Sequence, residues 1–405
     1  MGVRDWISDK WDRYTSRKLI ETLASSAPPR PRAWSMANNY TSWNGLSDLQ
    51  WNGRHMSEAD PAYVAFLEEK VPEDKLLELF RRPRDAEGNQ IVLPSDRTSV
   101  LFLFVAQWFT DSFLRTDFID YRKTDSNHEI DLCALYGLTE EKTTMLREKG
   151  PDGKPTHLMA HQIINDGEYP EYLFEEQGGA LVVRPKFAGG WEDEDGRTVE
   201  ALHPPRKINR ILESISPDPE VRKDRQSRYF AVGLEHGNGS AGYVVVNTVF
   251  LREHNRIARL LKRKYGTGTA QNWDDERIFQ TTRNIMIVLL IKIVMEDYIA
   301  HIAERKVHLP IGMADRAEWG KPNRISLEFN LLYRWHALIP AGLEFEGELT
   351  DNPGYLHNTK FVTDRGIGRL VAAMSRQRAG RLALRNYPDF MFYPNPGNNP
   401  LPGDP

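Results

Sequence analysis

The sequence predicts a mainly α-helical protein with long loops and little β-structure. Apolar residues recur at helical spacing over residues 61–82 and 97–116, from about Val244 to Tyr265, and from Asp274 to about Ala303. Strand-like patterns are short and lie between residues 117 and 240, where turn signals such as NDGEYP interrupt the chain. The simplest interpretation is one large helical domain.

The two ends of the chain differ in composition from the rest. Residues 1–35 hold a predicted amphipathic helix and the proline-rich segment SSAPPRPRAW, which disfavours helix. Residues 36–385 form the predicted main domain, and residues 386–405 a proline-rich tail. Trp11 and Tyr14 of the first helix either pack against the domain or make a peripheral membrane contact.

Composition excludes several classes of protein. The net charge of −4 gives no basic field for nucleic acid. Cys133 is the only cysteine, so an internal disulfide or a thiolate-rich metal site is excluded, and a reducing, cytoplasmic setting fits best. The most apolar run, Ile285 to Met295, is too short to span a bilayer.

A polar stripe interrupts the apolar segment FNLLYRWHALIP near the C-terminal end. Asn330, Tyr333 and His336 lie three residues apart on a predicted helix and would share one face. His336 is a hydrogen-bonded core residue, a metal or haem ligand, or an acid–base group. Tyr333 is either an ordinary core residue or a phenol that exchanges an electron and a proton with a haem.

A second polar pair lies in the aromatic-rich segment LFLFVAQWFTDSFLRTD. Gln107 and Asp111 are four residues apart, so they project from the same helix face. They form either an exposed polar edge or the base and hydrogen-bond donor that a haem enzyme needs to split a peroxide.

Motifs along the chain identify a resemblance to a known family. The sequence resembles the animal-type haem peroxidases, most closely the prostaglandin endoperoxide synthase (cyclooxygenase) and alpha-dioxygenase branch. The similarity extends over roughly residues 20–381, and LREHNR followed by YRWH is its most specific part. It implies a cyclooxygenase-like helical domain and a haem b that is bound without covalent attachment.

The resemblance assigns roles to individual residues. His336 matches the proximal histidine that ligates haem iron, and Tyr333 matches the tyrosine whose radical attacks a fatty acid in cyclooxygenases. Gln107 matches the distal glutamine. Asn330 and Trp335 are assigned with these residues to cofactor binding.

The sequence departs from the family at three functional positions. Asp111 replaces the distal histidine, and it is either a base whose pKa burial raises or the mark of a degraded distal side. Ala24 and Lys321 fall where cyclooxygenases place the arginine and tyrosine of the fatty-acid gate. The family domain also continues beyond SRQRAGR, so a long enclosed acyl channel is not expected.

Three functions follow from these residues. The first is a haem-dependent oxidoreductase that cleaves hydrogen peroxide or an organic hydroperoxide and oxidises an organic donor. The first alternative is a fatty-acid dioxygenase that uses O2 and a Tyr333 radical, and the second is a non-catalytic haem-binding protein. The oligomeric state is not predicted.

Other conspicuous residues are interpreted as scaffold. Arg252 to Asn255 in LREHNR are expected to hydrogen-bond within a buried helix. His128, Glu129 and Asp131 form a weak candidate cation site. His236, in LEHGNGSAG, is either a group on the distal side or an ordinary loop residue.

Overall fold

The fold is mainly α-helical, as predicted. The structure is a computed structural model that describes residues 3–26, 50–53, 59–117, 119–190, 198–304 and 325–389. The helices are α1 (Val3–Ser26), α2 (Pro61–Lys70), α3 (Glu73–Phe80), α4 (Val100–Thr110), α5 (Cys133–Tyr136), α6 (Glu140–Met145), α7 (Pro185–Ala188), α8 (Pro205–Ile215), α9 (Pro219–Ser227), α10 (Ala241–Tyr265), α11 (Asp275–Ile293), α12 (Ile299–Ala303), α13 (Leu327–Leu332), α14 (Asn352–Tyr355), α15 (Thr359–Arg365) and α16 (Ile367–Arg376).

Strands are short and antiparallel throughout the described residues. The pairs are β1 (Pro94–Ser99) with β10 (Arg378–Gly380), β2 (Arg147–Lys149) with β3 (Pro155–Met159), β4 (Gln162–Ile164) with β5 (Gly167–Tyr169), β6 (Phe174–Gln177) with β7 (Ala180–Val183), and β8 (Gly342–Phe345) with β9 (Glu348–Asp351). The prediction of little β-structure is therefore confirmed. None of the helices in these described ranges is long and apolar enough to cross a membrane.

The chain divides into two compact units, each built from three separate stretches. The first unit comprises Met1–Glu58, Phe113–Asp131 and Arg283–Tyr333, and the second comprises Ala59–Ser112, Leu132–Thr282 and Arg334–Pro405. The predicted segment boundaries stay predictions. The predicted boundary near residue 35 lies outside the described residues. At the predicted boundary near residue 385 the chain remains packed, since Asn386 is fully buried.

The core of the second unit forms around α10. Its first turns pack against α4, where a Cβ added to Gly242 would lie 1.9 Å from the ring of Phe104. The indole nitrogen of Trp108 donates to the Asn247 side-chain oxygen at 2.9 Å. Both aromatic side chains are almost fully buried. The absence of a side chain at Gly242 therefore fixes how closely α4 approaches α10.

The LREHNR segment joins α10 to the β2–β5 hairpins. His254 is fully buried; its Nδ1 accepts from the Tyr136 hydroxyl at 2.8 Å and its Nε2 donates to the His157 carbonyl at 3.2 Å. Asn255 accepts from the Met159 N–H at 2.9 Å and donates to the Met159 carbonyl at 3.1 Å. These bonds satisfy buried polar groups and give the motif a structural role.

Two sequence expectations about helices were wrong. The predicted helix over 61–82 is two helices, since Val71 and Pro72 break the hydrogen-bond pattern between α2 and α3. The region from 117 to 240 contains α8 and α9, which were not predicted. Pro205 and Pro219 lie in the first turns of these helices, where proline is tolerated because the first N–H groups have no helical acceptor.

Candidate active site

The segment that carries His336 is not one continuous helix. Helix α13 ends at Leu332, residues 333–335 are irregular, and His336 begins a single 3-10 turn that ends at Leu338. The prediction that Asn330, Tyr333 and His336 share one helix face is therefore wrong. The boundary between the two units also falls directly after Tyr333.

Tertiary hydrogen bonds explain why the helix stops. The Tyr387 hydroxyl donates to the Arg334 carbonyl at 3.2 Å, and the Asn386 side chain donates to the Ala337 carbonyl at 3.3 Å. The Arg82 guanidinium donates to the Ile339 carbonyl. The carbonyls of this segment therefore accept hydrogen bonds from distant side chains instead of from helix N–H groups. The backbone of residues 334–339 does not need helical geometry to satisfy them.

His336 is a neutral imidazole in the second unit. Burial, reinforced by the positive charge of Arg334, lowers its pKa to about 4. Its ring lies edge-on to Tyr387 with the centroids 6.5 Å apart, and across the described ranges neither ring nitrogen has a hydrogen-bond partner. The next residue towards the N-terminus, Trp335, stacks on Phe102 at 6.2 Å. An unprotonated imidazole without a protein partner is the form that binds a metal ion.

Gln107 and Asp111 keep the predicted helical relation at the end of α4. Asp111 follows the last residue of α4 in helical conformation, and its N–H donates to the Gln107 carbonyl at 3.1 Å. The Gln107 side chain is exposed, and its amide oxygen accepts from the hydroxyl of Ser240 at 3.2 Å. Ser240 also caps the N-terminus of α10. The amide nitrogen of Gln107 has no partner among the described residues, so it can donate to a bound molecule.

Asp111 interacts electrostatically with the His336 segment. Burial lowers the pKa of Arg334, and the negative charge of Asp111 opposes that shift. The carboxylate and the guanidinium are therefore close enough for their charges to stabilise each other. The negative charge of Asp111 therefore favours the charged form of Arg334.

Tyr333 belongs to the first unit, where it pairs with a second tyrosine. Its hydroxyl lies 2.8 Å from that of Tyr298, and its ring stacks on Phe329 at 4.7 Å. Tyr298 ends the π-helical turn Val294–Tyr298 between α11 and α12. Burial raises the pKa of both phenols, and the hydrogen bond from Tyr298 opposes the shift at Tyr333. Both side chains are neutral at physiological pH.

The remaining predicted residues have other surroundings. Asn330 is buried, and its amide nitrogen donates to the Thr116 hydroxyl at 3.0 Å, so its part in cofactor binding stays a prediction. Both ring nitrogens of His128 are used, by the Trp51 carbonyl and the Ile325 N–H. No group of three His, Cys, Asp or Glu side chains suited to a metal ion occurs in the part of the chain that is described. Lys321 lies outside the described residues.

Sequence reasoning missed several residues of the site. Ser240 carried a usable signal, since a serine directly before an apolar helical run is a preferred N-cap. The sequence carried no signal for Tyr298, Arg82 and Asn386, because their hydrogen-bond partners lie 35, 257 and 49 residues away in the chain. Only a three-dimensional structure brings such pairs together.

Comparison with known proteins identifies the family. Residues 197–392 match the model of the family described as animal haem peroxidase. The chain contains an animal haem peroxidase domain. Prostaglandin G/H synthase 1 of Mus musculus is 30% identical over 390 residues, which are 93% of this chain and 56% of that protein. Prostaglandin G/H synthase 2 of Bos taurus is 30% identical over 384 residues, or 92% of this chain and 54% of that protein.

Solved structures of the haem peroxidase fold agree with this assignment. The Oryza sativa fatty acid alpha-dioxygenase aligns with a TM-score of 0.50 and 16% identity over 84% of this chain and 57% of its own. Peroxidase A from Dictyostelium discoideum aligns with a TM-score of 0.52 and 15% identity over 84% of this chain and 64% of its own. The predicted cyclooxygenase-like helical fold is thus confirmed. The chain spans about half the length of the curated relatives it matches.

The haem peroxidase domain implies haem binding, and the residues of the second unit fit that group. His336 is a neutral imidazole, and its unprotonated nitrogen has no partner among the described residues, so it is available to bind the iron of a haem. Gln107 offers an exposed amide with an unused nitrogen. A second histidine, His357, has a buried Nδ1 without a partner among the described residues. These polar atoms are the kind that a bound cofactor and its substrate satisfy.

Proposed function

We propose that this protein is a haem-dependent oxidoreductase that cleaves a peroxide and oxidises an organic donor. The observation that carries the proposal is the neutral, unpartnered imidazole of His336 in a chain that contains a haem peroxidase domain. The substrate would be hydrogen peroxide or an organic hydroperoxide.

The cofactor would be haem b, bound without covalent attachment through His336. Trp335, Gln107 and Asn330 are the further residues assigned to its binding. When bound, it would supply the electrons that break the O–O bond and take replacements from the donor. Burial lowers the pKa of His336 and so keeps it unprotonated, and the positive charge of Arg334 acts in the same direction.

The chain's own groups then bind and orient the peroxide. The Gln107 amide nitrogen donates a hydrogen bond to it, while the Ser240 hydroxyl holds the amide oxygen and so fixes the orientation of the amide. Asp111 is the predicted proton acceptor. Its negative charge already interacts with the positive charge of Arg334.

Absorption spectroscopy of the haem-loaded protein tests the proposal. We expect a Soret band in the wild type and its loss in His336→Ala, because removal of the imidazole removes the only assigned iron ligand. His161→Gln is the control, since His161 interacts with Arg259 and Asn255 instead. A wild type that binds no haem, or a His336→Ala variant with an unchanged spectrum, would contradict the assignment.

The hydrogen-bonded pair Tyr298–Tyr333 supports a second candidate function, fatty-acid dioxygenation with O2. A buried phenol whose proton has a fixed hydrogen-bond partner is suited to the loss of an electron and a proton together. A third candidate is a haem-binding protein without turnover, for which the wild type would show the Soret band but no reaction with any peroxide.

We propose a cytoplasmic location with a peripheral membrane contact through α1. Cys133 is free and buried, which fits a reducing compartment. Trp11 and Tyr14 are 65% and 56% exposed on α1, and paired exposed aromatic rings suit the interface of a membrane.

A further inference from the structure

His357 is held in a strained conformation next to the loop that begins α10. Its φ of +48° lies in the left-handed region, which non-glycine residues rarely occupy. Its N–H donates to the Gly239 carbonyl at 3.1 Å, and the neighbouring Leu356 pairs with Ser240. Strain of this kind persists only where the surroundings enforce it, and it concentrates at functional sites.

The imidazole of His357 has an unused nitrogen. Its Nδ1 is buried and has no hydrogen-bond partner in the described ranges. Its Cε1 lies 4.0 Å from the position that a Cβ on Gly239 would take, so the ring lies over a residue without a side chain. An unpaired buried polar nitrogen is energetically unfavourable, so this position favours a bound water or ligand.

The same turn links His357 to Gln107. Gly239 accepts the backbone bond from His357, and the next residue, Ser240, donates to the Gln107 amide at 3.2 Å. His357 and Gln107, which belong to different elements, therefore both contact the Gly239–Ser240 turn. Gln107 is the group assigned to peroxide binding, and the turn that holds its amide also holds the backbone of His357.

The surroundings keep this imidazole unprotonated. Burial lowers the pKa of His357 to about 4, and the positively charged or protonatable groups that face it, His236 and Arg225, act in the same direction. Arg225 is itself fixed by a bond to the Leu356 carbonyl at 3.0 Å. Asp111, by contrast, has its charge engaged with Arg334. The Nδ1 lone pair of His357 is unused and can accept a proton, whereas the Asp111 carboxylate already interacts with a positive charge.

We propose that His357 is the acid–base group of peroxide cleavage, acting beside Gln107 in place of the distal histidine that Asp111 replaces. The inference rests on the proposed peroxidase function. One proton moves from hydrogen peroxide to Nδ1 and then to the oxygen that leaves as water. Cleavage of the O–O bond takes two electrons, which a bound haem would supply. The donor would return two electrons and two protons, and the second oxygen would then leave as water.

The test compares His357→Gln, Asp111→Asn and the control His161→Gln in the haem-loaded full chain. The rate constant for hydrogen peroxide is measured by stopped flow from about pH 3.5 to about pH 8, a range that includes the lowered pKa of His357 at about 4. We expect His357→Gln to lose about 100-fold or more, as for a removed acid–base group, and to lose the acidic limb of the pH profile. The loss should exceed that of Asp111→Asn by about tenfold.

Cyanide binding gives a second readout that does not depend on turnover. Hydrogen cyanide must give up its proton when it binds haem, so the Kd from Soret titration should rise in His357→Gln and its pH dependence should change. His161→Gln should match the wild type in both measurements.

The outcomes separate this inference from the proposed function. A wild type that forms no Soret band or ignores peroxide overturns both. A reactive wild type with His357→Gln unchanged in rate, pH profile and cyanide affinity overturns only the role of His357. If His357→Gln fails to fold, His357→Asn is measured against the same criteria by rate and cyanide affinity.

Discussion

Tyr333 shares a hydrogen bond with the hydroxyl of Tyr298, and the two oxygens lie 2.8 Å apart. Both phenols are kept neutral by burial. The partner fixes the orientation of the Tyr333 hydroxyl and gives its proton a defined path. We therefore propose that Tyr333 is needed for dioxygenase activity but not for peroxidase activity.

We expect Tyr333→Phe to abolish oxygen uptake with a long-chain fatty acid while the cleavage of hydrogen peroxide persists, because only dioxygenation needs a tyrosyl radical. Tyr298→Phe should lower oxygen uptake by about tenfold, the equivalent of one hydrogen bond to the phenol of about 1.4 kcal/mol. An oxygen electrode measures both. The exposed Tyr121→Phe is the control, and uptake that persists in Tyr333→Phe would rule out the tyrosyl route.

The sequence predicted His336, Gln107 and Tyr333 as site residues because each lies in a short motif, and their roles stay predictions. It did not predict Asn386, which donates to the Leu93 and Ala337 carbonyls at 2.9 and 3.3 Å and supports the His336 segment. Asn386 lies in a segment predicted to be tail, since neighbouring prolines and glycines suggest irregular chain. Irregular structure with every polar group satisfied has no periodic signal.

At the level of elements, the approach of α4 to α10 decides where Gln107 meets Ser240. Gly242 makes this approach possible, because any Cβ there would meet the ring of Phe104. The periodicity of both helices was visible in the sequence, but the face on which they meet was not. Two helices with apolar stripes can pack in several ways, and one glycine selects among them.

We expect Gly242→Ala to lower the free energy of unfolding by about 1–3 kcal/mol, the usual cost of overpacking a core. It should also weaken haem retention, since Ser240 would move relative to Gln107. Gly368→Ala in α16 is the matched control, because a Cβ there meets nothing within 4 Å. Urea unfolding measures both variants. Equal stability of the two would mean that the α4–α10 contact adapts without cost.

Over the whole molecule, buried neutral histidines make stability depend on pH. Burial lowers the pKa of His254 to about 3 from an ordinary value of 6.5. The unfolded chain therefore binds a proton that the folded chain excludes as the pH falls below 6.5. The stabilisation is complete above that pH and is lost progressively down to the folded pKa.

We expect the free energy of unfolding to fall by about 1.4 kcal/mol per pH unit for each such histidine between about pH 6 and pH 4. His254→Gln should be less stable at neutral pH, because the hydrogen bond from Tyr136 is disturbed. Its free energy of unfolding should fall less steeply with decreasing pH, because one titrating histidine has been removed. Asn209→Ala, on the exposed face of α8, should keep the full slope. An unchanged slope in His254→Gln would contradict this account.

The chain order of the contacts around His336 also bears on how the protein matures. Arg82 donates to the Asn386 carbonyl at 2.9 Å across 304 residues, and Tyr387 donates to the Arg334 carbonyl. During translation the ribosome must therefore release residue 387 before residues 334–339 can adopt this structure. The proposed binding of haem by His336 would therefore be a late event in biogenesis.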